Sequence, residues 1–416
     1  MRDLFKINTV ESWVLCCFFN FLIASIMGLL MRFVTLFHFS SINYSFLLHA
    51  HSHVAMLGWV YMTIYVLIVY LFIPKDNPKD KRCKPIYNQL FWITELTVIG
   101  MMISFPLQGY AFFSIVFSTT HILLSYVFCI LVWKDTYKEK TPESKLLSAA
   151  ILFMVFSTFG VWCLGPALSM LGQQNAFYQI AIQFFLHFQF NGWFLFAVLA
   201  LFLKQAKRNL KEEMFNKFFV LLILSTFLTM ALPVSWYVKN EMLKWINIFG
   251  VLLQILAFVY FYKMVKPHLS YFKSNLNTTT KYIYGLVLFS LVLKIGIQLL
   301  NLMPDLAEVS HQIRNFVIGF IHLTALGIIT GILFGVLIEN KILDNKYKIL
   351  RYGIKTFILG YSMNELLLFV QGGLFYLGWG KLFGYFEGIF IAGVLIVVSI
   401  MLIMISILNK KQESIY

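Results

Sequence analysis

The chain has 416 residues, 60% of them apolar and 12% charged, with a mean hydropathy of +0.79 and a formal net charge of +15. A soluble domain of this length needs a polar exterior, so this composition excludes the soluble globular class and points to lipid as the solvent. The basicity is distributed as a membrane topology signal and calls for no nucleic-acid partner.

Apolar stretches long enough to span a hydrocarbon core of ~30 Å run through the chain. They predict helices near 10–32, 44–73, 87–106, 112–133, 146–171, 176–203, 216–238, 242–263, 281–302, 311–338, 351–378 and 383–408. These runs are too long and too continuously apolar for tilted barrel strands, and lipid leaves no other backbone than helix or barrel. The expected fold class is therefore all-α, a polytopic membrane protein of about twelve transmembrane helices in a single domain, 1–416. Lys and Arg collect in alternate loops: the N-terminus (Arg2, Lys6), 74–86, 134–145, 204–217, 263–281, 339–355 and the tail (Lys410, Lys411). The opposite loops hold Arg32, Lys239, Lys244, Arg314 and Lys381. By the positive-inside rule both termini are expected in the cytoplasm, in a multi-pass protein of the bacterial inner membrane. No secretory signal is expected, since Asp3 and Glu11 flank the first apolar run and no small-residue cleavage site follows it. Cys16, Cys17, Cys83, Cys129 and Cys163 show no CxxC spacing and read as small buried hydrophobes.

Three predicted helices, the second, sixth and tenth, share the pattern His-x4-Gly: His53 to Gly58, His187 to Gly192 and His322 to Gly327. The nearly equal intervals suggest three four-helix units in a pseudo-threefold arrangement. His53, His121, His187 and His322 all lie roughly nine to eleven residues from the predicted outer ends of their helices, ~15 Å deep at the helical rise. Four imidazoles at one level favour a ligand site over scattered interhelical hydrogen bonds. The run His49-Ala-His51-Ser-His53 cannot present all its rings to one ligand, because at about 100° per residue His49 and His53 share a face and His51 points away. His311 reads as interfacial, and His38 and His268 have no assigned role. Zinc is disfavoured by the lack of thiolates. Haem suits two axial histidines amid aromatic side chains, and Trp59, Phe188, Phe190, Trp193, Phe316 and Phe320 stand near the histidines. Most of these aromatics are expected to be core packing. Each glycine is expected to let helices or a bulky planar group approach closely.

His51-Ser-His53-Val-Ala-Met-Leu-Gly58-Trp59 and Phe320-Ile-His322-Leu-Thr-Ala-Leu-Gly327 resemble segments of the haem–copper oxidase subunit I superfamily, which includes cytochrome c oxidases and nitric-oxide reductases. The resemblance implies twelve helices and a haem b with His53 or His51 and His322 as axial ligands, and it sets His187 where a copper ligand would stand. It departs from the family at Phe320, which replaces a histidine, at Asn191, which replaces a tyrosine, and in a seventh helix without histidine. On this pattern a bis-His haem survives, and a copper centre would have to be rebuilt on His121 and His187. The sequence is similar also to the haem-and-copper membrane proteins of the nitric-oxide stress response. Either resemblance implies electron transfer or oxygen- or nitric-oxide-related redox chemistry, with quinol or cytochrome c as electron donor. An enzyme of this kind would be an oxidoreductase.

Lys294, Glu95 and Glu365 fall inside apolar runs, where a charge is costly unless paired. They read either as a proton path or as a Lys–Glu ion pair between helices. The absence of a continuous polar period favours the ion pair. The competing functional class is a cofactor-free transporter or channel using the buried histidines and Lys294, against which unbroken helices and a threefold period count. A non-redox sensor or assembly factor is a third.

Overall fold

A computed structural model describes residues 9–37, 42–74, 84–206, 210–268, 274 and 276–413. Arg2, Lys6, His38, Cys83 and most of the basic loop 74–86 lie outside them. Six long helices come first: α1 Val10–Phe37, α2 Tyr44–Phe72, α3 Pro85–Gln108, α4 Phe112–Thr136, α5 Pro142–Leu171 and α6 Ala176–Gln205. They are followed by α7 Glu212–Ser235, α8 Glu241–His268, α9 Thr278–Leu300 and α10 Arg314–Glu339. The last two are α11 Lys348–Tyr376 and α12 Tyr385–Glu413. A short helix, Pro304–Val309, lies between α9 and α10. Among the described residues the regular elements are all helical, as an all-α polytopic membrane protein requires.

Local chemistry sets many of the ends. Asn43, Thr141, Asn175 and Asn240 each accept a backbone N–H as N-caps of α2, α5, α6 and α8. Pro85 and Pro142 occupy first-turn positions, where the missing N–H costs nothing. Gly109 (φ 62°) and Gly172 (φ 81°) close α3 and α5 in the left-handed region. Within α7 the helix is interrupted at Thr229–Met230. Pro233 accounts for this, since it has no N–H for the Thr229 carbonyl and its ring would clash there.

Among the described residues eleven helices are long and apolar enough to cross a membrane, one fewer than expected. α11 differs because it begins with Lys348, Arg351 and Lys355 and buries Asn364, Glu365 and Gln371 along its length. Large apolar side chains such as Leu96, Ile103, Phe113 and Ile130 are exposed, the inverse of a water-facing surface and what lipid contact demands.

The contacts divide the chain into two compact units. The first comprises Met1–Thr136, Asn277–Tyr284 and Thr330–Tyr416. Its core is aromatic: Trp13 stacks on Phe91 at 4.6 Å, Phe21 on Trp59 at 4.4 Å, and Trp59 donates its indole N–H to Thr330 Oγ1 at 2.9 Å. α12 packs along both α11 and α1. The second unit comprises Tyr137–Leu276 and Gly285–Ile329. There α5 packs on α6 and α7 on α8. The rings of Phe153, Phe156, Phe184, Phe188 and Phe227 form its densest cluster.

Candidate functional site

α2, α6 and α10 are the most buried of the membrane-length helices. Their apolar stretches are 83%, 72% and 78% buried, against 56% at most elsewhere. These are the three helices that carry His-x4-Gly. Each also departs from α-geometry at the same point: a π-helical segment begins at the residue after the histidine. The segments are Val54–Tyr61, Phe188–Phe194 and Leu323–Thr330. The helices are thus not regular throughout, which corrects the expectation from their continuous hydropathy. A π turn is closed by i→i+5 bonds, is rare, and recurs at functional sites. Its wider turn brings the glycine closer to the face of its histidine than an α-helix would.

Two of the glycines, Gly58 and Gly192, are packed by protein. A Cβ on Gly58 would stand 2.8 Å from Val98 Cγ1, and one on Gly192 2.6 Å from the Phe153 ring. At these two positions the expected room for a planar group is taken by side chains, so their smallness serves helix packing.

In the first unit α2 presents its histidines on two faces, as the helical period requires. His49 and His53 both pack against Tyr110, with ring centroids 4.6 and 5.8 Å apart, and His53 also lies on Phe105 at 4.3 Å. His51 turns to α1, where its Nδ1 donates to the Ala24 carbonyl at 2.7 Å. Gly28 makes room for that ring, since a Cβ there would meet His51 Cε1 at 2.9 Å. His53 Nδ1 donates to the His49 carbonyl at 2.9 Å. His121, on α4, is buried against Tyr61 and close enough to His53 for an electrostatic interaction. Its Nδ1 is 3.4 Å from the Ser125 hydroxyl, and among the described residues its Nε2 has no partner.

A ring nitrogen bonded to a backbone carbonyl must carry the proton, because a carbonyl only accepts. His51 and His53 therefore have Nδ1–H committed and a lone pair on Nε2. That is the arrangement in which a second-shell bond orients a metal-ligating imidazole. The orphaned Nε2 of His121 offers a further donor atom. These nitrogens fit axial ligation of a haem iron. Among the described residues no three His, Cys, Asp or Glu side chains converge to hold a metal ion.

In the second unit His187 Nε2 donates to the Thr226 carbonyl at 2.7 Å, which leaves Nδ1 as its free nitrogen. His322 is half-buried at the end of the α-helical first part of α10. Lys294 is 1% exposed and donates to Asn191 Oδ1 at 2.5 Å, with its ammonium over the Phe320 ring at 5.0 Å. Within this unit its partners among the described residues are an amide and an aromatic face, with no carboxylate. The structure thus brings Asn191 and Phe320 to one ammonium. Asn191 is held in turn by its Nδ2 bond to the His187 carbonyl at 3.2 Å.

Glu95 and Glu365 belong to the first unit, each with an asparagine. Asn20 Nδ2 reaches Glu95 Oε2 at 2.9 Å, and Asn364 Nδ2 reaches Glu365 Oε1 at 2.9 Å. Asn364 Oδ1 receives Arg32 Nη2 at 2.5 Å, and Arg32 Nη1 donates to the Ile389 carbonyl at 2.8 Å. Arg32, expected among the loop cations, lies instead half-buried inside α1; Asn20 carried no expectation, although a polar residue within an apolar helix was the available signal. His311 stacks on Trp236 at 4.9 Å in the turn before α10, and its partial burial lowers its pKa below the ordinary histidine range. Cys17 and Cys129 are buried, as expected of small hydrophobes. Compared with known protein families and with curated proteins, the chain matches none.

Proposed function

We propose that the chain is a haem b-binding protein of the bacterial inner membrane, with both termini cytoplasmic, acting in electron transfer or oxygen- or nitric-oxide-related redox chemistry. One observation carries the reading: at each of three repeated histidines, and at no other histidine among the described residues, a π-helical segment begins. The carbonyl-anchored tautomers of His51 and His53 support it further, because they free Nε2 for iron. His53 or His51, together with His322, are the axial ligands that the resemblance nominates. Bound haem would supply one-electron chemistry. The chain's own residues orient the imidazoles through the Ala24 and His49 carbonyls and surround His53 with the aromatic rings of Phe105 and Tyr110. A quinol or a cytochrome c would be the electron donor.

The test is a reduced-minus-oxidised absorption spectrum of protein purified from haem-replete cells. A b-type band is expected, lost in His322→Ala and in one of His51→Ala and His53→Ala. A wild-type preparation without a haem band would overturn the reading. The second reading, a cofactor-free transporter or channel, is favoured by the same π segments, because interrupted helices line transporter sites, and by Lys294, buried on an amide with no carboxylate of its own unit beside it among the described residues. It is supported if flux in proteoliposomes depends on Lys294 while haem is absent.

A further inference from the structure

Three helices of the first unit meet at a polar contact that the haem reading does not use. Asn20, on α1, is fully buried. Its Nδ2 donates to two acceptors: the carbonyl of Gly58, inside the π segment of α2, at 3.2 Å, and Oε2 of Glu95, on α3, at 2.9 Å. A backbone carbonyl can only accept, so the orientation of the amide is settled. Oδ1 is then the atom that points to no donor, and among the described residues it has none. A buried acceptor without a donor is rare and calls for an explanation.

Glu95 supplies one. Its side chain is 3% exposed, and no Lys, Arg or His of the first unit pairs with it among the described residues. The titratable groups facing it are the thiols of Cys16 and Cys17, both on α1. Neither brings a positive charge, and none is brought from α2. A carboxylate here would be a lone charge in a medium that does not solvate it, whereas a carboxylic acid would be neutral and would carry the missing donor.

We propose that Glu95 binds a proton at neutral pH and donates it to Asn20 Oδ1, closing a cyclic acid–amide pair that clamps the π segment of α2 through the Gly58 carbonyl. The clamp is a proton-binding site in the unit that holds His51, His53 and His121. It opens when the proton leaves, because the carboxylate then loses its bond to Oδ1 and becomes an unpaired charge. The folded state holds a proton that the unfolded chain releases at neutral pH, so stability must fall as pH rises through the titration of the clamp.

Infrared spectra of wild-type protein and E95Q in detergent at neutral pH test this without reference to haem. The expected result is a protonated-carboxyl carbonyl band that E95Q removes and N20L shifts toward the position of an acid without a partner. E95Q keeps the neutral donor–acceptor pair at every pH. It is expected to melt with wild type at neutral pH and to lack the wild-type decline in alkali, whereas E95A melts lower throughout. Absence of the carboxyl band overturns the proposal. So does a band unmoved by N20L, or an E95Q protein as unstable as E95A. None of these outcomes bears on whether haem is bound, so the two ideas fail separately.

Discussion

Gly58 stands inside the first π segment, with Val98 Cγ1 2.8 Å and Asn20 Cβ 3.1 Å from where a Cβ would be. Gly58→Ala therefore has to push α2 away from α1 and α3. It should lower stability by ~1–3 kcal/mol, the ordinary range for overpacking a filled core, read as a lower melting temperature of the detergent-purified protein. The second residue-scale expectation concerns Arg32. Asn364 Oδ1 accepts one arm of its guanidinium, and the side chain is half-buried. Asn364→Leu fills similar space and leaves a charged donor unsatisfied, at a cost of about 2 kcal/mol. Unchanged thermal stability would mean that Arg32 finds another acceptor. Both residues act through single contacts made by neighbours distant in sequence. The helical wheel places His51 and His53 on opposite faces, and it cannot say that one meets Ala24 and the other Phe105.

For the helices, the recurrent feature is a π segment immediately after a histidine. A wide turn changes the rotation of everything beyond it, so it sets which residues share a face with the imidazole. Removing one residue from Leu323–Thr330, for instance Ile328, should close the turn to α-geometry and rotate His322 relative to the rest of α10. The expected outcome is protein that still inserts into the membrane but has lost the haem band. A band that survives the deletion would show that the π turn does not position His322. The ends of α2, α5, α6 and α8 are of another kind, set by Asn or Thr caps that are legible in the sequence.

Across the whole molecule, the parity of the crossings rests on α11. Eleven helices are apolar enough to span, and α11 is 29 residues long with a polar set turned inward. If α11 crosses, reporters fused to the two termini fall on the same side, and the positive-inside pattern puts that side in the cytoplasm. Reporter fusions at both termini and after Leu377 check this. A C-terminal reporter found outside would remove α11 from the set of crossings.

The sequence by itself determined the lipid environment, the all-α class and the repeat of His-x4-Gly, because hydropathy, caps and short motifs act within one stretch of chain. It also identified Lys294, Glu95 and Glu365 as buried charges, since a polar residue within an apolar run has no other way to be read. Which partner each one meets was decided by tertiary structure. Lys294 meets Asn191 and Phe320 within its own unit, and Glu95 meets Asn20. Those contacts join helices far apart in the chain, where periodicity carries no information. The π segments likewise depend on packing: Gly58 and Gly192 are filled by Val98 and Phe153, and no local propensity specifies a turn that wide.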